Sequence, residues 1–115
     1  MRRGEIRWVD LDPARGSEAN KRRPAVIVSN DGANSTASRL GRGVITVVPV
    51  TSSIERVYPF QVRLAAATTG LGHDSKAQAE QVRSVAVGRV GELAGQVAAP
   101  TMLEIDDALR LHLAL

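Results

Sequence analysis

The chain has no cysteine, which excludes disulfide scaffolds, thiol nucleophiles and cysteine-ligated zinc, and fits a reducing compartment. Its two histidines, His73 and His112, lie far apart and in no His-x-x-x-His frame, so neither a zinc site nor a paired-imidazole site is expected. Aromatic residues make up only 3% of the chain, so a core must be built from Val, Leu, Ile and Ala. The lone tryptophan, Trp8, is expected within it. No run approaches the ~18 apolar residues of a membrane span, and the N-terminal Met-Arg-Arg-Gly-Glu carries no signal-like apolar region. These absences lead to the expectation of a soluble, cytoplasmic protein working without metal or cofactor.

What is present is a chain of 115 residues, enough for one core and too short for two, so residues 1–115 are read as a single domain. The net charge is +3 and the pI about 10.2. The distribution is more informative: residues 1–63 hold 11 of the 15 Lys/Arg and 6 of the 12 Asp/Glu. The N-terminal part is therefore basic and suited to a polyanion, whereas the remainder is acidic on balance.

The segment Glu5–Leu11, ended by Asp12-Pro13, predicts a first strand. Arg23–Asn30, with Pro24 at its start and Val26-Ile27-Val28 within, predicts a buried second strand. The intervening residues 12–22 are long for a connector in a small β domain and carry Arg15, Ser17, Glu18, Asn20, Lys21 and Arg22, which marks the loop as functional. Residues 31–40 fit either an irregular turn or a short helix. Gly43–Val50 predicts a third strand, with Thr51-Ser52-Ser53 beyond it, and Phe60–Leu64 alternates like a half-exposed strand. Two further short strands are expected at Lys76–Glu80 and Val82–Val87. A helix is expected from Pro100-Thr101 to the C-terminus, with Thr101 and Glu104 as a capping box and Met102, Ile105, Ala108, Leu109, His112 and Leu113 on one face. The class is mainly β (α+β), a compact antiparallel barrel or sheet with one C-terminal amphipathic helix.

Several short motifs follow one another in order: Gly4-Glu5-Ile6, Asp12-Pro13, Gly16-Ser17-Glu18, Lys21, Arg23-Pro24-Ala25-Val26-Ile27-Val28-Ser29-Asn30, then Pro49-Val50-Thr51-Ser52 and Glu80-Gln81-Val82-Arg83-Ser84. Together, over nearly the whole chain, they resemble the MazF/PemK toxins of type II toxin-antitoxin systems. Arg7 beside Trp8, and Ser53 where the family often has Gln, depart from that pattern. The resemblance implies a small antiparallel barrel of the Src-homology-3 (SH3-like) kind, the CcdB/PemK-like toxin fold, assembled as a homodimer. It implies a sequence-selective, metal-independent endoribonuclease that cuts single-stranded RNA by 2′-hydroxyl attack, leaving a 2′,3′-cyclic phosphate and a 5′-hydroxyl. It also implies inhibition of growth until a cognate, MazE-like antitoxin lays an acidic segment across the RNA site.

By the same resemblance Arg23 is the catalytic arginine, its guanidinium able to make two parallel hydrogen bonds to phosphate oxygens as a Lys cannot. Thr51 is a second electrophilic contact from a strand end, and Ser52 its weaker neighbour. Glu18 could act as base, orient Arg23 through an ion pair or hold the loop, and orientation is favoured. Arg15, Lys21 and Arg22 would contact flanking phosphates. Asn20, Gln81 and the loop around Ser17 would read splayed bases. Arg83 could bond within the barrel or help at the phosphate, and the structural bond is favoured; His73 could serve as acid or base, but a solvated turn is favoured; His112 is given a place in the helix packing. Two rival classes are a growth inhibitor binding DNA gyrase, as the similarly folded CcdB proteins do, and a nucleic-acid-binding module without chemistry; neither needs Arg23 with Thr51.

Overall fold

The β-branched runs around residues 25–28 and 44–50 become neighbouring central strands of an antiparallel sheet. The computed structural model describes residues 1–115. Its elements are β1 (Glu5–Asp10), β2 (Arg22–Ile27), α1 (Asp31–Leu40), β3 (Val44–Thr51), β4 (Gln61–Leu64), α2 (Ala66–Thr69), β5 (Ser75–Gln78), β6 (Arg83–Ala86), β7 (Val90–Gln96) and α3 (Ala99–Leu113). The strand order is β4-β5-β3-β2-β1-β7, with β6 also on β3. One edge of β3 thus serves two partners, β6 along Val44–Val47 and β5 at Val50–Thr51. Pro49 falls where the partner changes, a break at which proline is tolerated inside a strand.

Successive strand side chains face opposite sides, and here both sides are buried. Ile6, Val26, Val48 and Val50 meet Leu64, Ala77, Met102, Ile105 and Ala108 on the side covered by α3. Val9, Ala25, Ile27 and Val47 meet Ala37, Ile45 and Val85 on the side covered by α1. This double burial is why β2 and β3 read as continuous apolar runs rather than alternating ones. The antiparallel, mainly β architecture with a C-terminal helix is as the sequence led one to expect.

The structure resolves residues 31–40 as a helix. Asn30 caps it, its Oδ1 accepting from the Ala33 amide at 2.8 Å, and Gly41 closes it at φ 66°, its amide donating to the Ala37 carbonyl, the two ordinary helix punctuation marks. The second strand consequently stops at Ile27 rather than Asn30. Helix α3 begins at Ala99, capped at Ala98 by no side chain, so the Thr101–Glu104 box is not used. Pro100 suits the first turn, where its missing N–H is no loss. Met102, Ile105 and Ala108 are buried as expected, but His112 is exposed, in a last turn that is exposed throughout.

Strand β7 has no counterpart in the sequence reading. Its residues Val-Gly-Glu-Leu-Ala-Gly-Gln neither alternate nor form an apolar run, and pairing with β1 stabilises it. Gly95 shows what the sequence was encoding there: a Cβ at this position would lie 2.4 Å from the Thr69 carbonyl oxygen. Only glycine lets β7 approach the end of α2 so closely.

Candidate active-site groove

The residues between β1 and β2 are held by a few directed bonds. Lys21 adopts φ 65°, a left-handed conformation unusual for a residue with a side chain. It is secured by donation from its amide to the Asp12 carboxylate at 2.9 Å and by acceptance from the Leu11 amide at its carbonyl, also 2.9 Å. The chain then enters β2 with Arg22 and Arg23 side by side. The Arg23 Nε donates to the Asn20 carbonyl at 2.9 Å and its Nη2 to the Asn20 Oδ1 at 3.3 Å. Asn20 is therefore the residue that orients Arg23. Glu18 is exposed and joins none of the molecule's ion pairs, which corrects the expected Glu18–Arg23 pair; the neutral Asn20, nearer to Arg23 along the loop, takes its place.

Gln81, expected to read bases, is engaged with its own chain. Its Nε2 donates to the Ser17 carbonyl and its Oε1 accepts from the Ala19 amide, each at 2.9 Å. Both ends of the amide clamp the loop that carries Ser17 and Asn20. Replacing Gln81 with Ala should remove two hydrogen bonds worth about 1 kcal/mol each. Amide hydrogen exchange at Ala19 should accelerate and the thermal midpoint should fall by several degrees; unaltered exchange would mean that other contacts hold the loop. Arg83 donates from Nη1 to the Leu11 carbonyl at 3.2 Å, the structural bond expected of it.

Arg23 opens onto a groove of about 570 Å³. Its walls are Trp8, Arg22, Arg23 and Pro24 from β1 and β2, Val50 and Ser52 from the end of β3, Leu71, Gly72, His73 and Ser75 from the turn into β5, and Leu93 and Ala94 from β7. No carboxylate lines it, and neither Arg22 nor Arg23 has an acidic partner anywhere in the molecule. Two uncompensated guanidinium groups in one concave surface make a site for a polyanion, since each can bind phosphate oxygens in a planar fork.

The expected hydroxyls separate. Ser52 lines the groove, whereas Thr51 is half-buried beside it, its Oγ1 accepting from the Ser53 amide at 3.2 Å. That bond uses a lone pair and leaves the Thr51 hydroxyl proton free to donate. Arg15 and Lys21 are exposed on the loop, free of ion pairs.

Three wall residues were not placed here by the sequence reading. Trp8, expected in the core, is only half-buried and carries the Arg22 guanidinium 5.2 Å from its ring centroid. Leu93 belongs to the unforeseen β7. His73, expected in a solvated turn, is exposed but shares the groove with Arg23. The scarcity of aromatics was a usable signal for Trp8, because a core built without them does not require one. Nothing local pointed to Leu93, and the sequence reading put His73 in a turn without placing it beside Arg23.

The turn bearing His73 is anchored on both sides. Asp74 accepts from the Ala66 amide at 2.8 Å and from Arg63 Nη2 at 3.2 Å, bonds that hold its carboxyl below the usual range, the backbone donor contributing most. The Ser75 hydroxyl donates to the His73 carbonyl at 2.9 Å. No group of three or more His, Asp or Glu gathers in a metal-binding arrangement, and no helix is long and apolar enough to cross a membrane.

Comparison with known proteins gives a consistent picture. The sequence pattern of the PemK-like, MazF-like toxins of type II toxin-antitoxin systems matches residues 2–113. The chain is 68% identical to endoribonuclease MazF9 of Mycobacterium tuberculosis over 115 residues, covering 100% of this chain and 98% of that protein. Among solved structures it resembles MazF from Deinococcus radiodurans at a TM-score of 0.83 and 28% identity, covering 100% of this chain and 97% of that one. It also resembles a chain of the MazE-MazF crystal structure from the same organism, at 0.71 and 25%, with 100% and 97% covered.

Proposed function

As the chain belongs to the PemK-like, MazF-like toxin family and is an endoribonuclease toxin of a toxin-antitoxin system, we propose that it cuts single-stranded RNA in the groove beside Arg23, by attack of the ribose 2′-hydroxyl and without a metal ion. The observation that carries this reading is the state of Arg23: oriented by Asn20 and paired with no carboxylate.

In this reaction the 2′-oxygen bonds to phosphorus and the bond from phosphorus to the 5′-oxygen breaks. Negative charge accumulates on the non-bridging oxygens of the five-coordinate phosphorane, and preorganised donors aimed at those oxygens lower the barrier. Arg23 supplies two such N–H groups, and the Ser52 and Thr51 hydroxyls supply weaker ones. Arg15, Lys21 and Arg22 hold phosphates on either side, a contribution that weakens with salt. Arg22 stacked on Trp8 offers a flat surface for a splayed base. Asn20, Ser17 and Gln81 position this apparatus through the loop, and Glu18 stays outside the chemistry.

The same basic groove suits the acidic segment of a MazE-like antitoxin, which would neutralise the toxin by occupying the place of RNA. Residues 1–115 act as one domain in this reading, in a cytoplasmic homodimer. The gyrase-binding alternative is not favoured, because MazF9 is an endoribonuclease.

The test is incubation of the purified chain with a mixed-sequence pool of single-stranded RNA in EDTA, with the product ends identified. Cyclic phosphates opposite 5′-hydroxyls are expected. Cleavage only after magnesium is restored, or products ending in 5′-phosphate, would overturn the mechanism.

A further inference from the structure

The proposed reaction requires a group to accept the 2′-hydroxyl proton, and the groove severely restricts the choice. Arg22 and Arg23 stay protonated at any physiological pH and cannot act as bases. The Ser52 and Ser75 hydroxyls are too weakly basic, and the remaining wall residues are apolar or glycine. No Asp or Glu lines the groove, and Glu18 belongs to the exposed loop outside it. One wall side chain is of a chemical type able to accept a proton from a hydroxyl, and that is the imidazole of His73.

Resting on the reading of the groove given above, we infer that His73 is the general base, its neutral imidazole taking the proton of the attacking 2′-hydroxyl while Arg23 holds the phosphate. The 2′-oxygen to phosphorus bond forms, the bond from phosphorus to the 5′-oxygen breaks, His73 becomes imidazolium, and the departing 5′-oxygen takes a proton from solvent water. The imidazolium returns its proton to water after release.

The groups around His73 offer no competing base. Arg22 and Arg23 line the same groove as His73 and are cations. The adjoining Asp74 is committed to Ala66 and Arg63. Lys76, next along β5, is buried and donates to the Arg56 carbonyl at 2.6 Å. Helix α2 has no ionisable side chain, and on β7 Glu92 precedes Leu93 without lining the groove.

The experiment is single-turnover cleavage, between about pH 5 and 9, of an RNA that the wild type cuts, beside His73→Gln, His73→Asn and Arg23→Ala proteins of verified fold. Because His73 is exposed, neither replacement should disturb folding. Wild-type rates should rise with pH through the imidazole range and then level. Both His73 variants should lose about a hundredfold and show no such rise. Binding of the all-2′-deoxy form of the same sequence, followed through the fluorescence of Trp8, should stay within about threefold of wild type.

A 5′-bridging phosphorothiolate at the mapped scissile bond separates base from acid, because a thiolate leaves without protonation. The His73→Gln defect should persist with it, and its disappearance would make His73 the acid and overturn the assignment. A His73→Gln protein with wild-type rate and pH profile would overturn it as well, and Arg23→Ala then distinguishes the cause. If Arg23→Ala is inactive, the groove stands and the base lies elsewhere; if Arg23→Ala is also fully active, the groove itself is misassigned.

Discussion

Replacing Arg23 with Ala is expected to lower the cleavage rate by about 10²–10³-fold, the usual cost of removing one preorganised donor from a developing oxyanion. The reason lies in what Arg23 does in the folded chain. Its contacts within the protein are two bonds to Asn20, so most of its donor capacity and all of its charge remain for the substrate. The same feature makes the variant safe to interpret. No buried carboxylate is left unpaired when the guanidinium is removed, so the thermal midpoint should hardly move. Arg23→Lys should recover little, because an ammonium is a point charge that cannot present two parallel N–H groups to two phosphate oxygens. The comparison is read by single-turnover cleavage of one RNA at fixed salt, since ionic strength alone alters binding to flanking phosphates. Near-wild-type activity in Arg23→Lys would mean that Arg23 acts only as a charge.

Ile105→Ala should have the largest effect on stability, a loss of about 2–5 kcal/mol. Ile105 is fully buried on α3, in the cluster that includes Ile6, Val26, Val48 and Leu64. Truncating it leaves a cavity between the helix and the sheet that neither can readily collapse to fill, as β2 and β3 are held from the other face by a second core. Against a typical total of about 5–15 kcal/mol, such a loss brings the chain near its limit. Urea unfolding should give a lower midpoint with an unchanged slope. Leu103→Ala on the same helix, where the side chain is 65% exposed, should shift stability by no more than about 0.5 kcal/mol. Comparable losses at the two positions would mean that α3 is stabilised by its own propensity rather than by docking.

The sequence was most legible where burial is set by near neighbours. The apolar runs of β2 and β3, the amphipathic stripe of α3 and the turn at Gly70–Gly72 are short-range patterns, and each appears close to its expected place. The helix at residues 31–40 was bracketed by Asn30 and Gly41, a signal that polar composition concealed. The start of α3 was misplaced because Thr101 and Glu104 fit a capping box, whereas Pro100 and the packing of Met102 let the helix begin at Ala99. Strand β7 was not legible, because its stability comes from pairing with β1, more than eighty residues earlier in the chain.

For the site, the motifs singled out Arg23, Thr51 and the loop between β1 and β2, and Arg23 does open onto a basic groove. They did not reveal that Asn20 rather than Glu18 orients Arg23, that Gln81 clamps the loop across 64 positions, or that Trp8, His73 and Leu93 complete the walls. By itself, then, the sequence determined the class of the fold and the family and singled out Arg23 as the candidate charge, because these follow from local periodicity and from motifs in order. The tertiary structure alone decided which distant side chains surround that charge and which polar groups are already taken. That outcome depends on strand order and on directed hydrogen bonds between remote segments, and neither leaves a periodic trace along the chain.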